Sequence, residues 1–350
     1  MKDVYAQFGA DLIIDLPLTA QVKTKPFYSP STSLSCVTRS LSRPTDHSIG
    51  SSASLPARAF QSSIASMFYS FIFAFVQNTQ IKEFALQYEN HEFQDDSLLL
   101  SFIEYIQEVN RIPNTLVQPH QFSSLFFRLQ PELGSVRYFD AAATVNGVIN
   151  RLADEVPDGK PFKEIMSSRI IREEKCPKCG FSRPAEDLMP CFKLDIQSKV
   201  FRKATLMDCI AAFLQPKKIG HGKTDTCPKC HKKINLREQI KLVQLPNILM
   251  PALSRFIREG NSINKKSTEV NYTHELCMDK FTGHSGDNYE LMSVVAHARH
   301  TIQQKAKVFI RDQADKEKWS FYNDSRAIVA DSKSVILPGA AVVLIYQKCA

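Results

Sequence analysis

Two short cysteine pairs, Cys176-Pro177-Lys178-Cys179 and Cys227-Pro228-Lys229-Cys230, constrain this chain more than any other feature. Two residues between the cysteines let both sulfurs face one metal, and two such turns complete a tetrahedral four-thiolate site. That site has no open coordination position, so the ion it implies, Zn²⁺, is structural and not catalytic. The competing reading of the same spacing is a pair of buried or disulfide-linked turns. His221 and His231 flank the second pair, and each is an alternative ligand in place of a cysteine.

The rest of the composition narrows the setting. The chain has 350 residues, 43% of them hydrophobic, enough for a large core and more than one sub-domain. Its net charge of +8 comes from 44 basic and 36 acidic residues scattered without a long basic run. Small clusters such as Lys217-Lys218 and Lys265-Lys266 read as solvated charge and not as a nucleic-acid groove, and direct nucleic-acid binding is not expected. A mildly basic surface still suits an acidic or mixed-charge partner. Beyond the four paired cysteines, Cys36, Cys191, Cys209, Cys277 and Cys349 bring the count to nine. An odd count, and a start bearing Lys2, Asp3 and Asp11 that does not read as a secretory leader, predict free thiols in a reducing compartment. The most apolar window, Ile64 to Val76, falls short of the ~20 residues that span a bilayer. The expected location is cytoplasmic or nuclear, with no membrane partner.

Along the chain, residues 1–57 are set apart. Ser29 to Ser54 is rich in Ser, Thr and Pro and buries too little to offset its ordering entropy, so disorder is expected there; Leu12-Ile13-Ile14 is its one apolar patch. From Gln61 to Leu152 the pattern is helical. Met67 to Val76 is apolar nearly all round, as in a buried helix. Ser97 to Glu108 and Phe122 to Leu129 suggest two more helices, and Val145, Val148, Ile149 and Leu152 mark the core face of another. After Cys176, strands dominate: Phe192 to Ile196, Ile240 to Val243 ended by Pro246, Ile248 to Met250, Val294-Val295, Val308 to Ile310 and Ala341 to Tyr346. Thr205 to Leu214 interrupts them as a short helix with Thr205 as its N-cap. A helical front followed by a sheet with a zinc-tipped insertion makes the fold class α+β.

Taken in order, these segments resemble the catalytic domain of ubiquitin-specific proteases, the peptidase C19 family, over roughly Phe60 to Lys348. The two knuckles flank Leu188 to Leu214. Leu245-Pro246-Asn247-Ile248-Leu249 followed by Leu253-Ser254-Arg255-Phe256 is similar to the family's palm strand. Val270-Asn271-Tyr272, Leu276 and Tyr289-Glu290-Leu291 take later family positions. Trp319, Tyr322, Asn323 and Asp324 match a further motif, and Ala341 to Tyr346 the closing strand. Asp140-Ala141, with Val145 and Leu152, resembles a helix of the helical part. The resemblance implies a papain-like hand: a helical thumb (58–160), zinc-tipped β fingers (161–245) and a β palm (246–350).

Catalysis in this family needs a thiolate, a histidine base, a residue that orients the base and an oxyanion donor. Aligned without gaps on Val76-Gln77-Asn78-Thr79, the nucleophile motif puts Met67 at the cysteine, Ser62 at the oxyanion residue and Ile64 at a glycine. The histidine region, from Tyr289 to Asp312, puts His297 at a non-catalytic histidine and Arg299 at a glycine. Gln304, Lys305 and Ala306 stand where the base motif belongs, with Lys305 at the base. Asn323 alone matches the third member. Met67 cannot form a thiolate, and lysine, with a reference pKa of ~10.4, is no base near neutrality unless strongly desolvated. Ser66 with His300, or Cys36, would be a displaced nucleophile, but neither carries the motif.

The resemblance therefore implies an inactive hand that binds ubiquitin, a ubiquitin-like protein or another protein as a scaffold. The positions implied as contacts are Asp140, Arg255, Phe256, Tyr289, His297, Trp319 and Asp324. Asp140 reads equally as a helix cap, and Trp319 as a packing residue. The alternatives are an active deubiquitinase whose nucleophile the motif misplaces, and an RNA-processing scaffold.

Overall fold

The computed structural model describes residues 57–349 except 95, 118, 130–139, 157–159, 197–203, 219–224, 235, 260–261, 298–305 and 324–325. For a few others, among them 57–65, 323 and 326, only the backbone is described. The segment predicted to be disordered lies outside this set, as do Cys36, His221, Arg299, His300, Gln304, Lys305 and Asp324.

Six helices come first: α1 (Ala57–Val76), α2 (Thr79–Leu86), α3 (Leu98–Arg111), α4 (His120–Leu129), α5 (Ala141–Glu155) and α6 (Lys160–Met166). Phe68, Phe71, Ile72, Phe73 and Phe75 of α1 are all buried, as a helix that is apolar all round requires. Phe68 stacks on Phe126 of α4 at 5.2 Å, and Phe75 meets Phe102 of α3 at 5.9 Å. Each such ring contributes about 1.5–3 kcal/mol through its buried area. Polar caps set the helix starts. Asn78 Oδ1 accepts from Gln80 N (3.0 Å), Ser97 Oγ from Leu100 N (3.1 Å) and Asp140 Oδ1 from Ala143 N (3.0 Å).

Two sheets follow. The finger sheet has the order β2 (Ser182–Met189), β1 (Ser168–Lys175), β8 (Arg237–Gln244), β5 (Lys217–Lys218), all antiparallel. One face carries the cross-strand pair Ile170 and Leu242 into the core. At its far end the hairpin β6 (Asp225–Thr226) and β7 (Lys233–Ile234) holds the second cysteine pair. The palm is an eight-stranded sheet. Its order runs β17 (Arg326–Ala330), β16 (Trp319–Asn323), β15 (Ala306–Arg311), β14 (Asn288–His297), β18 (Ala341–Lys348), β9 (Ile248–Leu253), β3 (Cys191–Leu194), with β13 (Glu275–Cys277) added to β14. Helix α1 lies against β14 and β15.

Short pieces join the sheets: β4 (Ala204–Thr205) parallel to β12 (Val270–Asn271), the hairpin β10 (Phe256–Glu259) and β11 (Ser262–Lys265), and helices α7 (Leu206–Phe213) and α8 (Asp279–Thr282). Thr205 caps α7 in a full capping box: Asp208 N donates to Thr205 Oγ1 and Thr205 N to Asp208 Oδ2, both at 3.1 Å. Two buried tyrosines reach carbonyls, Tyr289 to Pro246 O and Tyr272 to Val335 O, both at 2.7 Å. Among the described residues, no helix is long and apolar enough to cross a membrane.

Candidate functional site

The two cysteine turns are built alike. In the first, Gly180 N donates to Cys176 O (3.0 Å) and Cys176 N to Phe181 O (2.8 Å). In the second, His231 N donates to Cys227 O (2.9 Å) and Cys227 N to Lys232 O (3.1 Å). Both turns close through a left-handed residue, Gly180 at φ 70° and His231 at φ 52°. The four sulfurs lie within 4.8 Å of one another, with Cys176 and Cys230 at 4.0 Å and Cys179 and Cys227 at 3.6 Å. Tetrahedral zinc with Zn–S of about 2.3 Å needs sulfurs about 3.8 Å apart, so the cluster fits the ion, and an all-thiolate donor set suits zinc. Backbone N–H groups of Cys230 and Lys229 aimed at Cys227 hold its thiol down to about 6. Cys179, despite its bond from the Phe181 amide, is pushed up to about 11 by burial and its neighbouring sulfurs.

His231, offered by the sequence as a possible ligand, is an exposed residue that closes the turn; the described cluster is four cysteines. A side chain other than glycine in the left-handed region is strained. His231→Gly, which makes the second turn like the first, is expected to raise stability by about 0.5–1 kcal/mol in urea denaturation of the metal-loaded protein.

The second centre lies where α1 meets β14, β15 and β16. Met67 is 1% exposed and sits about halfway along the 20-residue helix α1. Beside it, Ala306 N donates to Ser66 Oγ (3.0 Å), which ties the helix to the first residue of β15. His297 pairs with Ala306 across β14 and β15, and Val308 pairs with Tyr322 across β15 and β16. Tyr322 packs edge-on against Phe73 at 4.8 Å. Positions 66–67, 306 and 322–323 thus converge, although Lys305 and the side chains of Ser62, Ile64 and Asn323 are outside the described set.

A cysteine becomes a nucleophile when a helix N-terminus or a cation favours its thiolate. Met67 is a thioether two to three turns inside a helix, where the backbone offers no free N–H groups. The described thiols outside the metal turns lie elsewhere. Cys209 is buried in α7. Cys277 and Cys349 flank Asn288, at the end of β14 opposite His297. Cys191 is buried on the sheet edge farthest from β16, and burial, with the Asp140 carboxylate, pushes its thiol far up.

The family model "Ubiquitin carboxyl-terminal hydrolase" matches residues 60–346. The chain belongs to the ubiquitin carboxyl-terminal hydrolase family. Its curated relatives include "Ubiquitin carboxyl-terminal hydrolase 2" of Gallus gallus, 23% identical over 72% of this chain and 80% of the relative. The Homo sapiens protein of that name is 22% identical over 72% of this chain. The chain spans 47% of that human relative's length and 46–47% of its rat and bovine counterparts. A solved structure, the SAGA Ubp8/Sgf11/Sus1/Sgf73 DUB module bound to ubiquitin aldehyde, superimposes with a TM-score of 0.59 at 17% identity, covering 85% of this chain and 69% of that one. At that identity the likeness carries the fold: a papain-like hand with a sulfur-clamped finger tip.

Within this hydrolase fold, four of the residues implied as partner contacts are interior. Arg255 is 0% exposed and donates to four backbone carbonyls: Ala341, Lys266 (3.1 Å), Thr268 (2.9 Å) and Pro338 (2.6 Å). Tyr289 (0%) is bonded to Pro246, Trp319 (2%) packs on His274 at 5.6 Å, and His297 (0%) lies edge-on to Phe256 at 5.4 Å. In the free chain these four side chains are enclosed by the palm. Phe256 is half-buried. Asp140 caps α5 and also pairs with Lys193 of β3 at 2.6 Å, a link the sequence did not suggest. Lys265, which the sequence reads as solvated charge, is instead half-buried and donates to His297 O (2.9 Å), and burial, with Arg255 nearby, brings it down to about 8.

Proposed function

We propose that this chain is a ubiquitin-specific-protease hand without peptidase activity that acts as a binding scaffold for ubiquitin or another protein. The observation that carries the reading is Met67, buried in mid-helix at the position where the family pattern needs its thiolate. Lys305 at the base position adds to it. The Zn²⁺ clamp at Cys176, Cys179, Cys227 and Cys230, the capped helices and the continuous palm support retention of the hand itself. In this reading residues 58–160 are the thumb, 161–245 the fingers and 246–350 the palm. The odd cysteine count, with four of the nine paired for a metal, supports a reducing compartment, cytoplasm or nucleus.

Cleavage of ubiquitin–AMC is expected to stay at background. Loss of a covalent nucleophile lowers a comparable peptidase on the order of a millionfold. Alkylation with iodoacetamide is expected to change nothing. Turnover abolished by alkylation of one cysteine, mapped by a ubiquitin-based thiol probe, would overturn the inactive reading in favour of a displaced nucleophile. Titration of ¹⁵N-ubiquitin with the metal-loaded chain then separates a ubiquitin scaffold, which shifts a contiguous set of ubiquitin resonances, from a hand that recognises another protein.

A further inference from the structure

Strand register in the finger sheet places Lys175 of β1 directly opposite Arg237 of β8, and Arg237 directly opposite Lys218 of β5. Directly opposed residues share one face of a sheet. Three cations therefore form a row across three neighbouring strands, and all three are exposed. Like charges so opposed repel and weaken the sheet.

The other face is arranged the opposite way one residue along. There Arg183 pairs with Glu174, Lys217 stands opposite Glu238, and Arg172 bridges Glu238 (3.0 Å) and Asp187 (3.2 Å). The sheet thus neutralises charge on one face and not at the end of the other. The carboxylate beside the row, Glu173, is already held by Lys175 (3.1 Å), Lys241 (2.9 Å) and the Ser182 hydroxyl (2.5 Å). Among the described residues, Arg237 and Lys218 have no ion pair.

We propose that the Lys175–Arg237–Lys218 row is a docking surface for an acidic segment of a partner protein. Strands about 4.8 Å apart make the row about 10 Å long, within reach of carboxylates on alternate residues of an extended segment about 7 Å apart. Arg237 adds a bidentate fork for one carboxylate. The paired positions on this face carry no aromatic residue on which bases could stack, which disfavours single-stranded nucleic acid. Lys178 and Lys229 are left out of the surface, because they sit inside the cysteine turns, where they offset thiolate charge.

The row faces away from the side that carries Ile170, Arg172 and Leu242 toward the core and toward a cleft of about 260 Å³ lined by Asn146, Arg172, Cys191 and Phe213. Docking there leaves the palm free, so the proposal stands whether or not the hand holds ubiquitin.

The test uses the full, zinc-loaded chain and fluorescence anisotropy with a labelled octaglutamate peptide, with a labelled octauridylate RNA as the second probe. Octaglutamate is expected to bind and to weaken with added salt. Arg237→Glu and Lys218→Glu are each expected to cut that affinity roughly tenfold, and Lys280→Glu, on α8, to leave it unchanged. Arg237→Glu sets a carboxylate between Lys175 and Lys218, so its Tm is expected to rise while binding falls, a combination that misfolding does not produce. No binding by the parent chain, equal binding by parent and variants, or a lowered Tm for Arg237→Glu overturns the proposal. Tighter binding of the RNA, lost in the same variants, overturns the protein class of the partner.

Discussion

Replacing Arg255 with alanine is expected to cost about 3–5 kcal/mol of stability. The guanidinium is fully buried and uses Nε, Nη1 and Nη2 to satisfy carbonyls of Lys266, Thr268, Pro338 and Ala341. Those carbonyls come from two segments, the loop leading into β12 and the entry to β18, which no ladder joins at this point. Val270 N donating to Pro338 O (2.9 Å) is the neighbouring backbone link. Alanine leaves a cavity and takes the guanidinium donors away from four carbonyls, of which the Ala341 carbonyl is buried and the Pro338 carbonyl keeps its bond from Val270 N. Lysine is not a substitute, because one ammonium with three donors cannot span four carbonyls set around a planar fork. Arg255→Lys is expected to recover less than half of the loss. Urea denaturation followed by circular dichroism measures both variants. A loss below about 1 kcal/mol for Arg255→Ala would mean that the carbonyls find other partners, and that the residue does not organise the palm.

The sequence allowed much of this architecture to be anticipated where local chemistry decides the outcome. Thr205 reads as an N-cap in the sequence and is one in space, where Asp208 three residues on completes a capping box. The apolar run at Met67 to Val76 is a buried helix because no face of it is polar. The cysteine turns meet because their spacing leaves little else for four thiols to do. Other parts were hidden for physical reasons. Strand β1 reads SRIIREEK, and neither it nor β2 shows apolar alternation, because β2 is mostly exposed and β1 fills its core-facing and half-buried positions largely with charged side chains. Strand β9 runs through Pro251, which lacks an N–H; the ladder to β18 pairs Val343 with Ala252 and Tyr346 with Leu249, and Pro251 falls between them. The site positions came from family pattern, which fixes a place along the chain and not a depth. Pattern alone therefore does not reveal that Arg255, Tyr289, Trp319 and His297 are buried.

Removal of the metal is expected to unfold the finger tip while leaving the palm intact. The tip has almost no core of its own: Cys176, Cys227 and Leu236 are buried there, with Phe181 and the other two cysteines packed against them. Ordering each residue costs about 1–2 kcal/mol in backbone entropy, so a hairpin of two-residue strands with this little apolar area does not hold itself. Zinc bound by four cysteines supplies on the order of 10 kcal/mol in small zinc modules, and here that energy has nothing else to replace it. Chelation, or Cys227→Ser, is expected to bring amides of β6, β7 and the last residues of β1 to nearly unprotected exchange rates. Amides of β14 and β18, whose side chains are buried in both large clusters, are expected to keep their protection. Binding should also weaken as pH falls, because protons compete with the metal for sulfur. Hydrogen exchange read by mass spectrometry distinguishes the outcomes. Uniform loss of protection would make the metal a global determinant of the fold. Unchanged exchange at the tip would show that the sulfurs meet without needing an ion, and would remove the zinc site from the account of this protein.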